Sequence, residues 1–195
     1  MLLNQAVSPH IRLVFTRSIW QDHNQVVMRV VPLSLVAIFF LGCAHQPQWK
    51  CDGVTSPDQQ LRACVTSFGH AAPLNESVVQ IHDVNDRVLA SDDFRSPNGE
   101  NGRNVQANAW TSDSQFYVFS TASSGGHSPW HWPTYFYDRR TNSFKELDNF
   151  TGPIIKRDFT LSAPDWIEVT VQGTKSDPTD IVIGHKVKRQ LSALH

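Results

Sequence analysis

The sequence predicts an all-β domain built from antiparallel hairpins, and three observations support this. After Pro73, β-branched and aromatic residues alternate with polar residues at a period of two. Short clusters of Asp, Asn, Ser and Thr separate these runs, as is typical of hairpin turns. About 150 residues follow Cys43, which is enough for one domain with a single core. We therefore expect blade-like antiparallel hairpins in one or two sheets, with a short N-terminal helix.

Three hairpins can be placed in chain order. Their strands and turns are predicted at 78–82 and 87–90 around 83–86, at 105–110 and 115–121 around 111–114, and at 134–138 and 143–147 around 139–142. Alternate positions of a strand share a face, so the pattern also predicts core residues. They are Trp110, Phe116, Val118, Phe136, Ile167 and Val169.

The short helix is predicted at residues 57–66. Ser56, Pro57 and Asp58 offer an N-cap serine, a proline at the first helical position and an acid in the first turn. Cys51 and Cys64 lie on either side of its start. In an exported chain they are expected to form a disulfide, which would stabilise the fold by about 3 kcal/mol in the chain-entropy model. A thiol nucleophile or a metal thiolate is less favoured, because the sequence shows no nearby His and no second Cys-x-x-Cys.

Residues 28–43 combine one cation, Arg29, with an apolar run from Val30 to Leu41 that ends at Gly42 and Cys43. The run is shorter than the roughly 20 residues that a membrane-spanning helix needs. This segment resembles a bacterial lipoprotein signal peptide that closes in a lipobox. The resemblance implies that Cys43 carries palmitate-type lipid and becomes the mature N-terminus. Ala44 after it would favour the outer membrane of a Gram-negative cell envelope, facing the periplasm.

This interpretation divides the chain into four parts. Residues 1–27 would be an over-extended start, 28–42 the signal peptide, 43–50 a tether, and 51–195 a single β-rich domain. The three arginines and one aspartate before Cys43 reduce the totals of 17 and 18 to 14 Lys plus Arg and 17 Asp plus Glu, a net charge of −3. Such a balance disfavours nucleic acid, because phosphate binding needs clustered cations.

A weak internal repeat runs through the second half of the chain. Trp110, the turn at 111–114, the apolar strand that follows, the aromatic strand ending at Asp138 and the turn at 139–142 form one unit, and 161–169 with 181–186 repeat it loosely. Over 78–190 these motifs resemble blades of the Tol-type β-propellers. A complete propeller needs at least four blades of about forty residues, so the resemblance implies blade-like hairpins and not a closed ring.

The segment 123–133 concentrates the strongest candidates for function. Two glycines, two prolines, two histidines and two tryptophans shape this connector between two strands. Exposed Trp and His in an ordered loop would supply contact area at low entropic cost; alternatively, the tryptophans cap the core. The expected binding residues are His127, Trp130, His131, Trp132 and Tyr135.

Catalytic and metal templates find less support. His127 and His131 have the spacing of a helical metal pair, but Pro129 and Pro133 argue against a helix and no third ligand follows. No Gly-x-Ser-x-Gly motif is present, and residues 83–88 lack the glycine of an EF-hand loop. Asp92, Asp93 and Asp138 are expected to be solvated turn residues. We therefore expect no metal, cofactor or catalytic residue.

The sequence thus favours a lipid-anchored envelope protein that acts by binding, without catalysis, with an envelope protein or cell-wall component as partner. Two alternatives remain. One is an envelope hydrolase with a His-centred or metal site in 123–133. The other is a structural subunit of an envelope complex whose exposed strand edges are completed by neighbours.

Overall fold

The computed structural model describes residues 51–71, 74–125, 131–173 and 184–195, which all belong to one compact unit. Strands dominate, because the period-two runs bury one or both of their faces. The strands are β1 Gly53–Thr55, β2 Leu61–Gly69, β3 Asn75–Asp83, β4 Val88–Asp93, β5 Arg103–Trp110, β6 Phe116–Ser123, β7 Thr134–Asp138, β8 Ser143–Glu146, β9 Thr160–Ser162, β10 Trp166–Gln172 and β11 Gly184–Gln190. A one-turn helix, α1 Asp148–Thr151, and a 3-10 turn, Leu191–Ala193, complete the described elements.

These strands form three antiparallel sheets in the described part of the chain. The first sheet has the order β1-β2-β3-β4, the second β5-β6-β7-β8 and the third β11-β10-β9. The first two are simple meanders in which each strand pairs with the next along the chain. The all-β class and the three predicted hairpins are confirmed, while the number of sheets is three and not one or two.

The helix predicted at 57–66 is wrong. Ser56–Gln59 instead forms a β-turn in which the Gln59 N–H donates to the Ser56 carbonyl (2.9 Å), and Leu61 begins β2. Gln59 then takes a left-handed conformation with φ of 60°. Proline and aspartate early in a segment suit a type I turn as well as a helix start. The burial of Leu61 and Ala63 on one face, a period of two, decides for a strand.

This turn has a counterpart 55 residues later. At 111–116 the hydroxyl of Thr111 donates to Asp113 (2.6 Å) and accepts the Phe116 N–H (3.1 Å), as the hydroxyl of Ser56 does with Asp58 and Leu61 (2.6 and 3.0 Å). The fourth residue of each turn has a positive φ, of 60° and 62°. The first two sheets therefore share the same hydroxyl-stabilised turn immediately before their second strands.

The core lies on both sides of the second sheet. One cluster joins it to the third sheet and includes Phe116, Val118 and Phe136; the other joins it to the first sheet and includes Trp110 and Tyr117. Consecutive residues of β6 are buried for this reason, so the alternation expected there is replaced by a continuous buried run. The predicted core residues are all buried: Trp110, Phe116, Val118, Phe136, Ile167 and Val169.

The connections divide between two ends of the sheets. Pairing of Leu61 with Asp83 and of Phe116 with Asp138 places the short turns at one end, which we call the turn end. The turns at 56–60, 83–87, 111–115, 139–142 and 163–165 lie there. The strand ends that border residues 70–74, 94–102, 124–133, 147–159 and 173–183 lie at the opposite end, which we call the loop end.

Candidate functional site

The predicted binding loop emerges at the loop end, from the second sheet. His127 and Trp130 lie outside the described residues. His131, Trp132 and Tyr135 are described, and each has a defined set of contacts. They do not form one open surface, because each faces a different neighbour.

His131 is anchored by Asp148. The Nε2 atom of His131 lies 2.5 Å from Asp148 Oδ1, and the same carboxylate accepts the backbone N–H groups of Thr134 and Ile154 (both 3.0 Å). The Asp148 side chain is about 10 % exposed and that of His131 28 %. A carboxylate at the start of α1 therefore ties the end of the predicted binding loop to β7 and to the connection before the third sheet. This gives His131 a structural role that the sequence did not suggest.

Trp132 and Tyr135 are both partly buried, and Tyr135 packs against the second sheet. The backbone N–H of Trp132 donates to the Ile154 carbonyl (2.8 Å), and the Trp132 side chain is half-buried. The Tyr135 ring stacks on Phe119 at 5.6 Å, and its hydroxyl accepts a hydrogen bond from Arg103 (2.6 Å). Burial raises the pKa of Tyr135 to about 12, so the phenol stays protonated at neutral pH. The prediction that these two residues bind a partner remains a prediction.

A buried carboxylate that sequence reasoning missed organises the rest of the loop end. Glu76, 3 % exposed, accepts hydrogen bonds from the Ser96 hydroxyl (2.6 Å), the backbone N–H groups of Ser96 (2.8 Å) and Gly102 (2.6 Å), and the Ser124 hydroxyl (3.1 Å). The hydrogen bond from the Ser96 hydroxyl, with the others, lowers the pKa of Glu76 despite its burial. A side chain at Gly102 would clash with the carboxyl carbon of Glu76 and the Phe94 carbonyl, so glycine is needed there.

Above this carboxylate lies a cleft of about 410 Å³. Its wall is formed by three of the loop-end connections and consists of His70, Leu74, Gly99, Glu100, Asn101, Ser123, Ser124 and Gly125. Ser124 belongs to both features, since its hydroxyl contacts Glu76 and its residue lines the cleft. The first residues of the predicted loop thus border a concave surface, about half polar and half apolar, of the size that small ligands or peptide side chains occupy.

Asp93 and Asp138, two of the acidic residues that were expected to be solvated turn residues, form ion pairs with arginines. Asp93 forms a bidentate pair with Arg95, whose hydrogen bonds lower the pKa of Asp93 to about 2. Asp138 is fully buried, and although burial acts to raise its pKa, the hydrogen bonds from Arg140 outweigh this and lower it. Burial raises the pKa of Asp92. The expectation of solvated turn residues is therefore wrong: Asp92 and Asp93 are the last residues of β4, and Asp138 is a buried acid at the end of β7.

The Cys51–Cys64 disulfide is confirmed, with a Cα–Cα distance of 6.0 Å. The structure also corrects the expectation that no histidine lies near these cysteines, because a ring nitrogen of His82 and both sulfur atoms lie within 4.8 Å of one another. In the described residues this is the group of three His, Cys, Asp or Glu side chains placed close enough to hold a metal ion. It lies on β2 and β3, and not in the 123–133 segment.

Comparison with known proteins adds no family to this description. No protein-family model matches the chain, and no curated protein matches its sequence. Within the described ranges, no helix has the length and apolar character needed to cross a membrane.

Proposed function

We propose that this chain is a lipid-anchored protein of the bacterial cell envelope that binds a partner through its loop end and does not itself catalyse a reaction. The anchor rests on the resemblance of residues 28–43 to a lipoprotein signal peptide. Binding is supported by the cleft of about 410 Å³, which the predicted loop borders at Ser123, Ser124 and Gly125. This cleft is the observation that carries the proposal.

The two ends of the sheets differ in how their polar groups are used: those at the turn end bond to one another, whereas several at the loop end line the cleft. At the turn end, polar groups are joined across the sheets: Arg139 donates to Asp58 (2.6 Å), and the Asp58 N–H donates to Ser114 (3.0 Å). At the loop end, Glu76 and Asp148 fix the bases of the connections, while exposed residues such as Ser123 and Glu100 line the cleft. Loops positioned by a rigid scaffold are the usual site of binding.

The partner we propose is an envelope protein or a cell-wall component. The net charge of −3 after Cys43 gives no basic field for nucleic acid. The cleft wall offers polar and apolar surface in about equal parts, with a histidine, a carboxylate, an amide and two serines as its hydrogen-bonding groups, so recognition there would combine hydrogen bonds with apolar contact.

The lipid anchor is tested by metabolic labelling with a palmitate analogue. We expect the wild-type chain to be labelled and the Cys43→Ser variant to be unlabelled. Equal labelling of both variants contradicts the anchor but leaves binding at the loop end open.

Binding is tested by capture from envelope extracts with a matched pair of variants. Ser123→Arg fills the cleft with a long cation, whereas Ser112→Arg introduces the same side chain at an exposed serine of the turn end. We expect the first variant to lose partners that the wild-type chain and the second variant retain. Capture that is equal for both variants, or lost in both, refutes the loop end as the binding surface.

A hydrolase is the second candidate, and the His131–Asp148 pair is the observation that favours it. A carboxylate that orients an imidazole is the arrangement of a general base and its support. Asp148, however, is already committed to two backbone N–H groups, which indicates a structural anchor first. Hydrolase activity of the purified chain that His131→Ala abolishes would establish this candidate over the first.

A further inference from the structure

We infer that Cys51, Cys64 and His82 form a redox-controlled site for a thiophilic cation such as Zn²⁺ or Cu(I), closed by the disulfide and opened by its reduction. The inference does not rest on the proposed binding function, because the three residues lie away from the cleft. It rests on the strand pairing of the first sheet.

The register of β2 and β3 brings the three side chains together. Arg62 pairs with His82 and Cys64 with Gln80, so Cys64 and His82 are diagonal neighbours on the same face. Cys51 precedes β1, and the pairing of Gly53 with Cys64 brings it beside them. Both sulfur atoms and a ring nitrogen of His82 lie within 4.8 Å of one another.

The imidazole of His82 has the environment typical of a metal-binding histidine. Its Nδ1 atom lies 3.0 Å from Asp86 Oδ1, and the side chains are only 11 % and 12 % exposed. Its Nε2 atom is buried and has no hydrogen-bond partner among the residues that the structure describes, which is rare for a buried polar atom. A carboxylate that holds one ring nitrogen and leaves the other for a metal is the usual second sphere of a metal-bound histidine.

The donor set selects the class of cation. Two thiolates and an imidazole suit Zn²⁺ and Cu(I), and they do not suit Mg²⁺ or Ca²⁺, which take oxygen ligands. Around Zn²⁺, with bonds of about 2.3 Å to sulfur and about 2.0 Å to nitrogen, these donors would stand about 3.5–3.8 Å apart. In the oxidised structure the two sulfur atoms are bonded to each other, and a ring nitrogen of His82 lies within 4.8 Å of both. After reduction the sulfur atoms must separate to about 3.8 Å and the imidazole must approach them by up to about 1.3 Å to reach that geometry.

Reduction by a dithiol opens the site with a balanced exchange. The dithiol supplies two electrons and two protons, the Cys51–Cys64 bond breaks into two thiols, and the dithiol becomes a disulfide. Cation binding then displaces both thiol protons, since thiolates are the ligands. The oxidised domain keeps the disulfide as a structural cross-link, and the reduced domain replaces it with a metal cross-link.

The test uses the full chain in detergent with Cys43→Ser, which leaves Cys51 and Cys64 as its cysteines. Zn²⁺ and Cu(I) are titrated separately, before and after reduction with a phosphine, and Co²⁺ reports thiolate coordination by its absorption. We expect one cation per reduced chain and none per oxidised chain.

Asp86→Asn should weaken binding by about 10- to 100-fold, and His82→Ala should weaken it at least as much. His185→Ala, an exposed histidine of the third sheet, is the matched control and should change nothing.

Thermal unfolding separates a built site from cysteines that bind metal only when the chain is unfolded. A cation that binds the folded state raises the melting temperature of the reduced chain, or restores its fold, and does neither with His82→Ala. The inference is overturned if the reduced chain binds no cation, if the oxidised chain binds as tightly, if His82→Ala leaves the affinity unchanged, or if the cation lowers the melting temperature.

Discussion

Replacing Asp148 by alanine tests the anchor that fixes the end of the predicted binding loop. The substitution removes the acceptor for the N–H groups of Thr134 and Ile154, which belong to residues that are 0 % and 1 % exposed. A buried donor left without a partner costs about 1–3 kcal/mol, so two of them cost about 2–6 kcal/mol. At roughly 2–4 °C per kcal/mol for a domain of this size, the melting temperature should fall by about 8–16 °C for a mid-range loss of about 4 kcal/mol.

Two further variants separate the contribution of the backbone N–H groups from that of His131. Asp148→Asn keeps one carbonyl oxygen as an acceptor, so it should cost about half as much. His131→Ala leaves both N–H groups paired and should cost about 1 kcal/mol, since the imidazole is partly exposed.

Urea unfolding, followed by tryptophan fluorescence and circular dichroism, measures these losses, and coincident transitions establish that unfolding is two-state. Asp158→Ala is the matched control, because the Asp158 side chain is 80 % exposed and pairs only with its neighbour Arg157 among the contacts described. It should change the unfolding free energy by less than about 0.5 kcal/mol. An Asp148→Ala variant as stable as this control would refute the anchor.

The remaining predictions concern the core, the buried carboxylate and the repeated turn. Phe136→Ala should cost about 3–5 kcal/mol in a thermal melt because the ring is fully buried, while Phe68→Ala, at a side chain 39 % exposed, should cost under about 1 kcal/mol; equal losses would contradict the assigned core. Folding lowers the pKa of Glu76, so its contribution to stability is present above its ordinary pKa of 4.5 and is lost as pH falls through the lower folded value. In Glu76→Gln, the urea midpoint should therefore fall less steeply with decreasing pH than it does in the wild-type chain. An equal fall in both chains would count against this role. Thr111→Val should cost about 1–2 kcal/mol by removing the hydroxyl shared by Asp113 and Phe116, whereas Thr160→Val, the same substitution at an exposed position of β9, should be nearly neutral in the same unfolding assay.

The hairpins could be predicted from sequence because their signals are local. Alternation of polar and apolar residues over four to eight positions, closed by a turn cluster, specifies a strand pair without knowledge of the rest of the chain. The predicted turn at 83–86 lies between β3 and β4, and that at 139–142 lies between β7 and β8, with Asp86 and Asn142 in the left-handed conformation that such turns need.

The error at residues 57–66 has a physical origin. Ser56, Pro57 and Asp58 satisfy the local requirements of a helix start and of a type I turn equally well, because both need a fixed φ at proline and a side-chain acceptor near free N–H groups. Two signals could have decided between them. Leu61, Ala63 and Val65 follow at a period of two, and the segment 111–116 repeats the same chemistry 55 residues later in front of a strand that was correctly assigned.

The candidate sites were beyond local patterns because they depend on pairing between distant strands. His82 reaches the cysteines only through the register of β2 and β3. Glu76 meets Ser124 48 residues away, and its four hydrogen bonds come from three residues in two separate segments. A glutamate at the start of β3, two residues before its apolar run, was the signal available, since a carboxylate must be hydrogen-bonded when it is buried.

The two ends of the sheets explain why the fold was easier to predict than the function. At the turn end each connection is short, so its conformation follows from its own residues, and its polar groups bond to the neighbouring turn, as Ser112 does with the Pro164 carbonyl (3.2 Å). At the loop end most connections are longer, and two carboxylates, Glu76 of β3 and Asp148 of α1, hold residues of other segments at their bases. A surface made in this way can change its exposed residues without disturbing the strands beneath it, because the anchors bind mainly backbone N–H groups and hydroxyls at the bases. If a partner binds at the loop end, as we propose, the residues that recognise it can therefore vary independently of the fold.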